Sequence, residues 1–189
     1  MIYREGIEKG FKEGQKEEEI ARKIFLSYPT FVFRHDKEEE YKIKNEISKF
    51  FNIPFRNVQV VGSAKTGESY IKNTFFRINE SDLDIAIIDL QMFYDYMEKV
   101  FKATKGYSDL TGFSTPKSHL SYEKYLAKGI FRPDFMPKCE ARTVLRKFLN
   151  NLSSNHAQKF SNINVAIYAS ECFFESKQGK IIKGLKNTK

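Results

Sequence analysis

The 189-residue sequence has no tryptophan, two cysteines, three histidines and five prolines. Cys139 and Cys172 lie far apart and outside any Cys-x-x-Cys spacing. They point to ordinary thiols in a reducing cytoplasm, not to a disulfide framework. With so few thiols, His35, His119 and His156 are too scattered for a structural zinc site. No apolar run approaches the roughly 18 residues of a membrane span. The opening MIYREGIEKGFKEG is charged from the start, with no signal-peptide core. A cytoplasmic protein with no membrane association is therefore expected.

At 41% hydrophobic and 15% aromatic residues, with 18 Phe and 10 Tyr, the chain is too apolar to be disordered. Its length suits one domain, with a small appendage. The net charge of +8 is unevenly placed. Residues 1–50 carry 11 basic and 11 acidic side chains, and residues 51–131 carry 10 and 9. Residues 132–189 carry 11 and 4, so the excess lies in the last third. A localised positive field suits a triphosphate or a nucleic-acid strand, and equally a basic, Lys-rich soluble surface running to Lys189.

The pattern predicts alternating helices and strands, an α/β order. Residues 4–26 read as one charged N-terminal helix, although Gly6, Gly10 and Gly14 recur every four residues at a cost to helicity. A peripheral or partner-binding role is expected for it, giving two units, 1–29 and 30–189. Asp36 is placed to cap a helix over 37–51, and Asp89 one over 90–104. Further helices are expected near 63–70, 118–129, 139–152 and 171–185, the last followed by a frayed tail. Strands are expected at 57–61, 83–88 and 163–169, with a fourth near 31–33. Residues 71–80 read as loop, and two prolines keep the Phe131 to Pro137 segment from being helical.

The chemistry concentrates in residues 59–90. An apolar strand runs into Gly62-Ser63, and about twenty residues later Ser81-Asp82-Leu83-Asp84 opens a second apolar strand. Strand side chains alternate, so Asp82 and Asp84 share a face with Cα atoms about 6.5 Å apart. That spacing lets both carboxylates hold a pair of Mg²⁺ ions, which sit roughly 3.5–4 Å apart in two-metal phosphoryl-transfer sites. Gly62 permits a tight turn and close backbone approach, and the amides and hydroxyl that follow suit phosphate oxygens.

The combination resembles the signature of the DNA polymerase β-like nucleotidyltransferase superfamily, in which an apolar strand ending in Gly-Gly or Gly-Ser precedes a carboxylate pair opening the next strand. The resemblance implies a small mixed sheet of the polymerase β palm type flanked by helices. It implies metal binding at Asp82 and Asp84, which are also the catalytic pair. It places the nucleotide phosphates at Gly62 and Ser63, with Ser81 beside them. Mg²⁺ is the implied cofactor, as two ions with Mn²⁺ as a substitute, and the implied reaction moves NMP or dNMP from a nucleoside triphosphate to a hydroxyl.

The chain departs from the pattern twice. The segment from Gly62 to Asp82 is longer than in minimal members and carries Lys65, Lys72 and Arg77, candidates for phosphate contact or plain loop charge. The family's third carboxylate falls at Asn164, which can ligate a metal weakly through its carbonyl but cannot act as a base. Either another acid substitutes (Asp134, Glu140 or Glu171), or two carboxylates suffice, or activity is lost. Arg132 and the Arg142/Arg146 face of the following helix suit a triphosphate or an acceptor strand. Tyr168 and Phe173 are aromatic enough to stack a base, with core packing the stronger expectation. His35-Asp36 has no partners for a metal phosphohydrolase. The acceptor is expected to be a nucleotide or oligonucleotide, with single-stranded nucleic acid as a partner. A phage-defence synthase fits the size, as does an antitoxin that nucleotidylates a protein partner. The rival expectation is a catalytically weak nucleotide- or partner-binding module. The N-terminal segment also resembles the helical tails of recombination-promoting nucleases, without their nuclease motif.

Overall fold

The computed structural model describes residues 2–186, and of Lys186 only the backbone. The tail expected to fray lies partly outside the described residues. Ile85 to Ile88 are apolar on both faces of their strand, and such a strand must be covered on both sides. The fold does this with three layers. The elements run α1 (Ile2–Lys12), α2 (Glu17–Ala21, continued by a π-helical turn Arg22–Ser27), α3 (Lys37–Phe51), β1 (Val58–Val61), α4 (Gly62–Thr66), β2 (Glu68–Ser69), β3 (Thr74–Phe75), β4 (Leu83–Ile88), α5 (Leu90–Ala103), α6 (Pro116–Leu126), β5 (Ile130–Phe131), α7 (Glu140–Asn155), β6 (Ile163–Tyr168) and α8 (Glu171–Lys186).

The main sheet is mixed, in the order β1-β4-β6-β5. β4 and β6 are parallel, while β1 and β5 flank them antiparallel. Leu83, Ile85 and Ile87 of β4, with Ile163, Val165 and Ile167 of β6, face a core shared with α3, α5 and α7. The alternate residues Ala86 and Tyr168 face a second core made by α1, α2, the π turn and α8. Asp36 and Asp89 cap α3 and α5 as expected, accepting from the amides of Glu39 and Met92. Among the described residues no helix is long and apolar enough to cross a membrane.

The N-terminal segment departs from expectation. It is a helical hairpin, broken where Gly14 adopts φ +73°, and it is core. Tyr3, Ile7, Ile20, Ile24 and Phe25 are buried against the sheet and α8. The glycine spacing follows from this packing. A Cβ on Gly6 would stand 2.8 Å from Tyr28 Oη, and one on Gly10 2.7 Å from Ile20 Cγ1. Gly10→Leu is therefore expected to destabilise the chain by the roughly 1–3 kcal/mol typical of overpacking. Urea unfolding checks this, and an unchanged midpoint would show that α1 does not dock.

Residues 31–33 form a turn, not a strand. The Phe31 and Val32 amides donate to the Lys65 and Ala64 carbonyls, so they pin α4 and pair with no strand. The fourth strand is β5, only two residues long. The helix expected over 63–70 stops at Thr66, because Gly67 turns at φ +84° and the β2–β3 hairpin follows.

Candidate functional site

Register brings the key residues into one row. Val61 at the end of β1 is opposite Asp84 on β4, and Asp84 is opposite Asn164 on β6. Alternation from Leu83 and Ile85 turns Asp82, Asp84 and Asn164 toward the same face as Ala86. That face is covered by the N-terminal helices further along the strands, while all three polar residues are half-buried.

Asn164 stands between the carboxylates. Its Nδ2 donates to Asp82 Oδ2 at 3.2 Å and to Asp84 Oδ1 at 3.4 Å. Asp82 Oδ1 also accepts from Ser161 Oγ at 2.6 Å and Asn162 Nδ2 at 3.4 Å. Ser161 and Asn162 escaped the sequence reading, although a signal was present. Ser161-Asn162-Ile163-Asn164 repeats Ser81-Asp82-Leu83-Asp84 with amides for acids. The two tetrads lie side by side: the Ser161 amide donates to the Ser81 carbonyl, and the Leu83 amide to Asn162. Two acids thus face two amides across the strand entries. The amides satisfy carboxylate lone pairs that would otherwise repel one another.

Burial raises the Asp84 pKa above the ordinary carboxylate range. The Asn164 bond opposes this, the Asp82 charge adds to it, and the charges of Arg132 and Lys72 oppose it. Gly62 closes the site from β1. A Cβ there would stand 2.9 Å from Asp84 Oδ2, and its φ of +66° is one that L side chains rarely adopt. Gly62→Ala is expected to cost more than the roughly 1–2 kcal/mol of left-handed backbone strain alone. Gly14→Ala is the control, since it has φ +73° and no atom within 4 Å. Equal losses in melting experiments would show that Asp84 moves aside freely.

The other expected site residues divide. Ser63 is the second residue of α4, after Gly62, where a helix's first amides lack partners within the helix. Ser81 Oγ accepts the Arg77 amide, so it fastens the 77–81 turn. Lys65 does not serve phosphate as expected. It is buried, and its Nζ donates to the Tyr28 carbonyl at 2.6 Å, which ties α4 to the N-terminal hairpin. Burial pulls its pKa down to about 8. Arg77 pairs with Glu80 on the exposed loop. Arg132 lies within electrostatic reach of Asp84 and also pairs with Asp134. Glu140 is exposed at the start of α7, and Glu171 on α8 acts on Arg22. The largest charge effects on Asp84 come from Asp82, Arg132 and Lys72. Tyr168 is core, packed edge-on to Phe174, and Phe173 lies over Gly129.

No three His, Cys, Asp or Glu side chains among the described residues are grouped to hold a metal. The available set is instead two carboxylates plus the Asn164 amide, whose rotation would present a carbonyl oxygen. An all-oxygen set with few protein ligands fits Mg²⁺, which usually keeps waters and takes substrate phosphates. No family model, curated protein or solved structure matches the chain.

Proposed function

We propose that the chain is a Mg²⁺-dependent nucleotidyltransferase that moves NMP or dNMP from a nucleoside triphosphate to a nucleotide or oligonucleotide hydroxyl. The observation that carries this is the convergence of Gly62, Asp82, Asp84 and Asn164 at one end of the sheet. The acceptor oxygen forms a bond to the α-phosphorus as the bond to pyrophosphate breaks. Bound Mg²⁺ supplies Lewis-acid stabilisation of the phosphates and the leaving group. Asp82 and Asp84 hold it, Gly62 lets the triphosphate approach the backbone, and Lys72 and Arg132 offset phosphate charge. Asn164 cannot accept the acceptor's proton, which leaves to water.

The amides at 162 and 164 favour a second reading, a nucleotide-binding module with weak or no turnover. Incubation with each labelled NTP and dNTP, Mg²⁺ or Mn²⁺, and mono- or oligonucleotide acceptors separates the two. Labelled products that vanish in the Asp82→Ala/Asp84→Ala double variant support transfer. Label on the protein itself identifies a polypeptide acceptor. Nucleotide binding without product overturns the enzyme and favours the module.

A further inference from the structure

Beside the carboxylates lies an aromatic and cationic strip between α6, α7 and the turn after β5. Tyr125 and Phe135 stack, with ring centroids 5.5 Å apart and planes 23° from parallel. The Arg132 guanidinium lies 5.6 Å from the Tyr125 centroid and 5.9 Å from that of Phe135. Lys128 Nζ lies 5.7 Å from the Tyr125 ring. Arg142 reaches across from α7 to the Asp134 carbonyl, fixing the turn. The inner Nε atoms of Arg132 and Arg142 are buried without a hydrogen-bond partner. Residues 123–147 hold seven basic side chains against three acidic.

The strip faces the site. Ile130 belongs to the core on the Asp84 side of the sheet and Phe131 to the opposite one. Arg132 continues in extended backbone, so it points to the Asp84 side. Its antiparallel partner β6 carries Asn164 toward the same end. The positive charge extends past Arg132 to Arg142 and Arg146, one turn apart on α7, further than one triphosphate needs.

We infer that this strip seats a single-stranded nucleic acid, with a base added to the Tyr125–Phe135 stack and phosphates at Lys128, Arg132 and Arg142. Aromatic platforms beside cations bind any base sequence, because every base offers a π face. That the strand's end is the hydroxyl acceptor rests on the proposed nucleotidyl transfer; strand binding itself does not.

The test is fluorescence anisotropy of the full chain with labelled single-stranded RNA and DNA 12-mers, without nucleotide. Binding is expected to weaken about 20- to 50-fold between 50 and 200 mM salt, as three or four released counterions require. Tyr125→Ala is expected to weaken it roughly 5- to 150-fold, with Tyr125→Phe restoring it. Lys128→Glu, at an exposed position, is expected to weaken it and flatten the salt dependence. Asp82→Ala/Asp84→Ala retains binding. No strand binding by the wild-type chain at 50 mM salt overturns the proposal, as does undiminished binding by both Tyr125→Ala and Lys128→Glu. Transfer to a mononucleotide without strand binding sinks the strip and leaves the transferase. Strand binding without transfer does the reverse.

Discussion

Asp84→Asn is expected to slow the proposed Mg²⁺-dependent transfer by about three orders of magnitude, while making the metal-free protein more stable. Losing one of two carboxylate ligands removes several kcal/mol of charge stabilisation, and about 4 kcal/mol is a thousandfold in rate. The gain in stability comes from burial. Because the Asp84 pKa is raised in the fold, the native state holds its proton more tightly than the unfolded chain does. Stability from this group is complete below the unfolded pKa and is lost as pH rises through the folded one. The asparagine variant escapes that loss, so its advantage is absent in acid and full at neutral pH. Melting curves with and without Mg²⁺, across pH, read both effects. Each kcal/mol shifts the midpoint by about 2–4 °C for a chain of this size. Mg²⁺ raising the wild type and the variant equally would remove Asp84 from the metal site.

The converse change, Asn164→Asp, is expected to have an effect of similar size and opposite direction. A third carboxylate would replace an amide that now donates to both Asp82 and Asp84. Without metal, three acids crowd together and the melting temperature falls. With metal, the added ligand charge enlarges the Mg²⁺-induced rise. Turnover is expected to increase, by as much as the roughly 10²–10⁴-fold that a positioned base contributes. An unaltered Mg²⁺ response would show that position 164 does not meet the ion.

Much of this site was legible because its logic is local. Alternation fixes the shared face of Asp82 and Asp84, and Gly62 announces a backbone that tolerates no Cβ. The caps at Asp36 and Asp89 were equally readable, since each bonds an amide three residues on. What failed was long-range. Lys65 looks like a loop cation until Tyr28, 37 positions away, takes its ammonium. The N-terminal glycines read as helix defects because the residues that fill their grooves, Ile20 and Tyr28, lie beyond the bend at Gly14. β5 is too short for any periodicity to show. The pairing of the two Ser-led tetrads was visible as letters, but only parallel register makes it a cluster.

The docking of the N-terminal hairpin on α8 bears on how the chain is made. Arg22 bonds Glu175 across 153 positions of sequence. Ile20, Ile24 and Phe25 are made before β6 and α8 and wait uncovered until that segment has been synthesised. The α4 turn beneath Gly62 leans on the same hairpin through Lys65. Closure over such distances is slow and exposes apolar surface meanwhile. The face that carries the carboxylates therefore stays incomplete until α8 has been made and has docked.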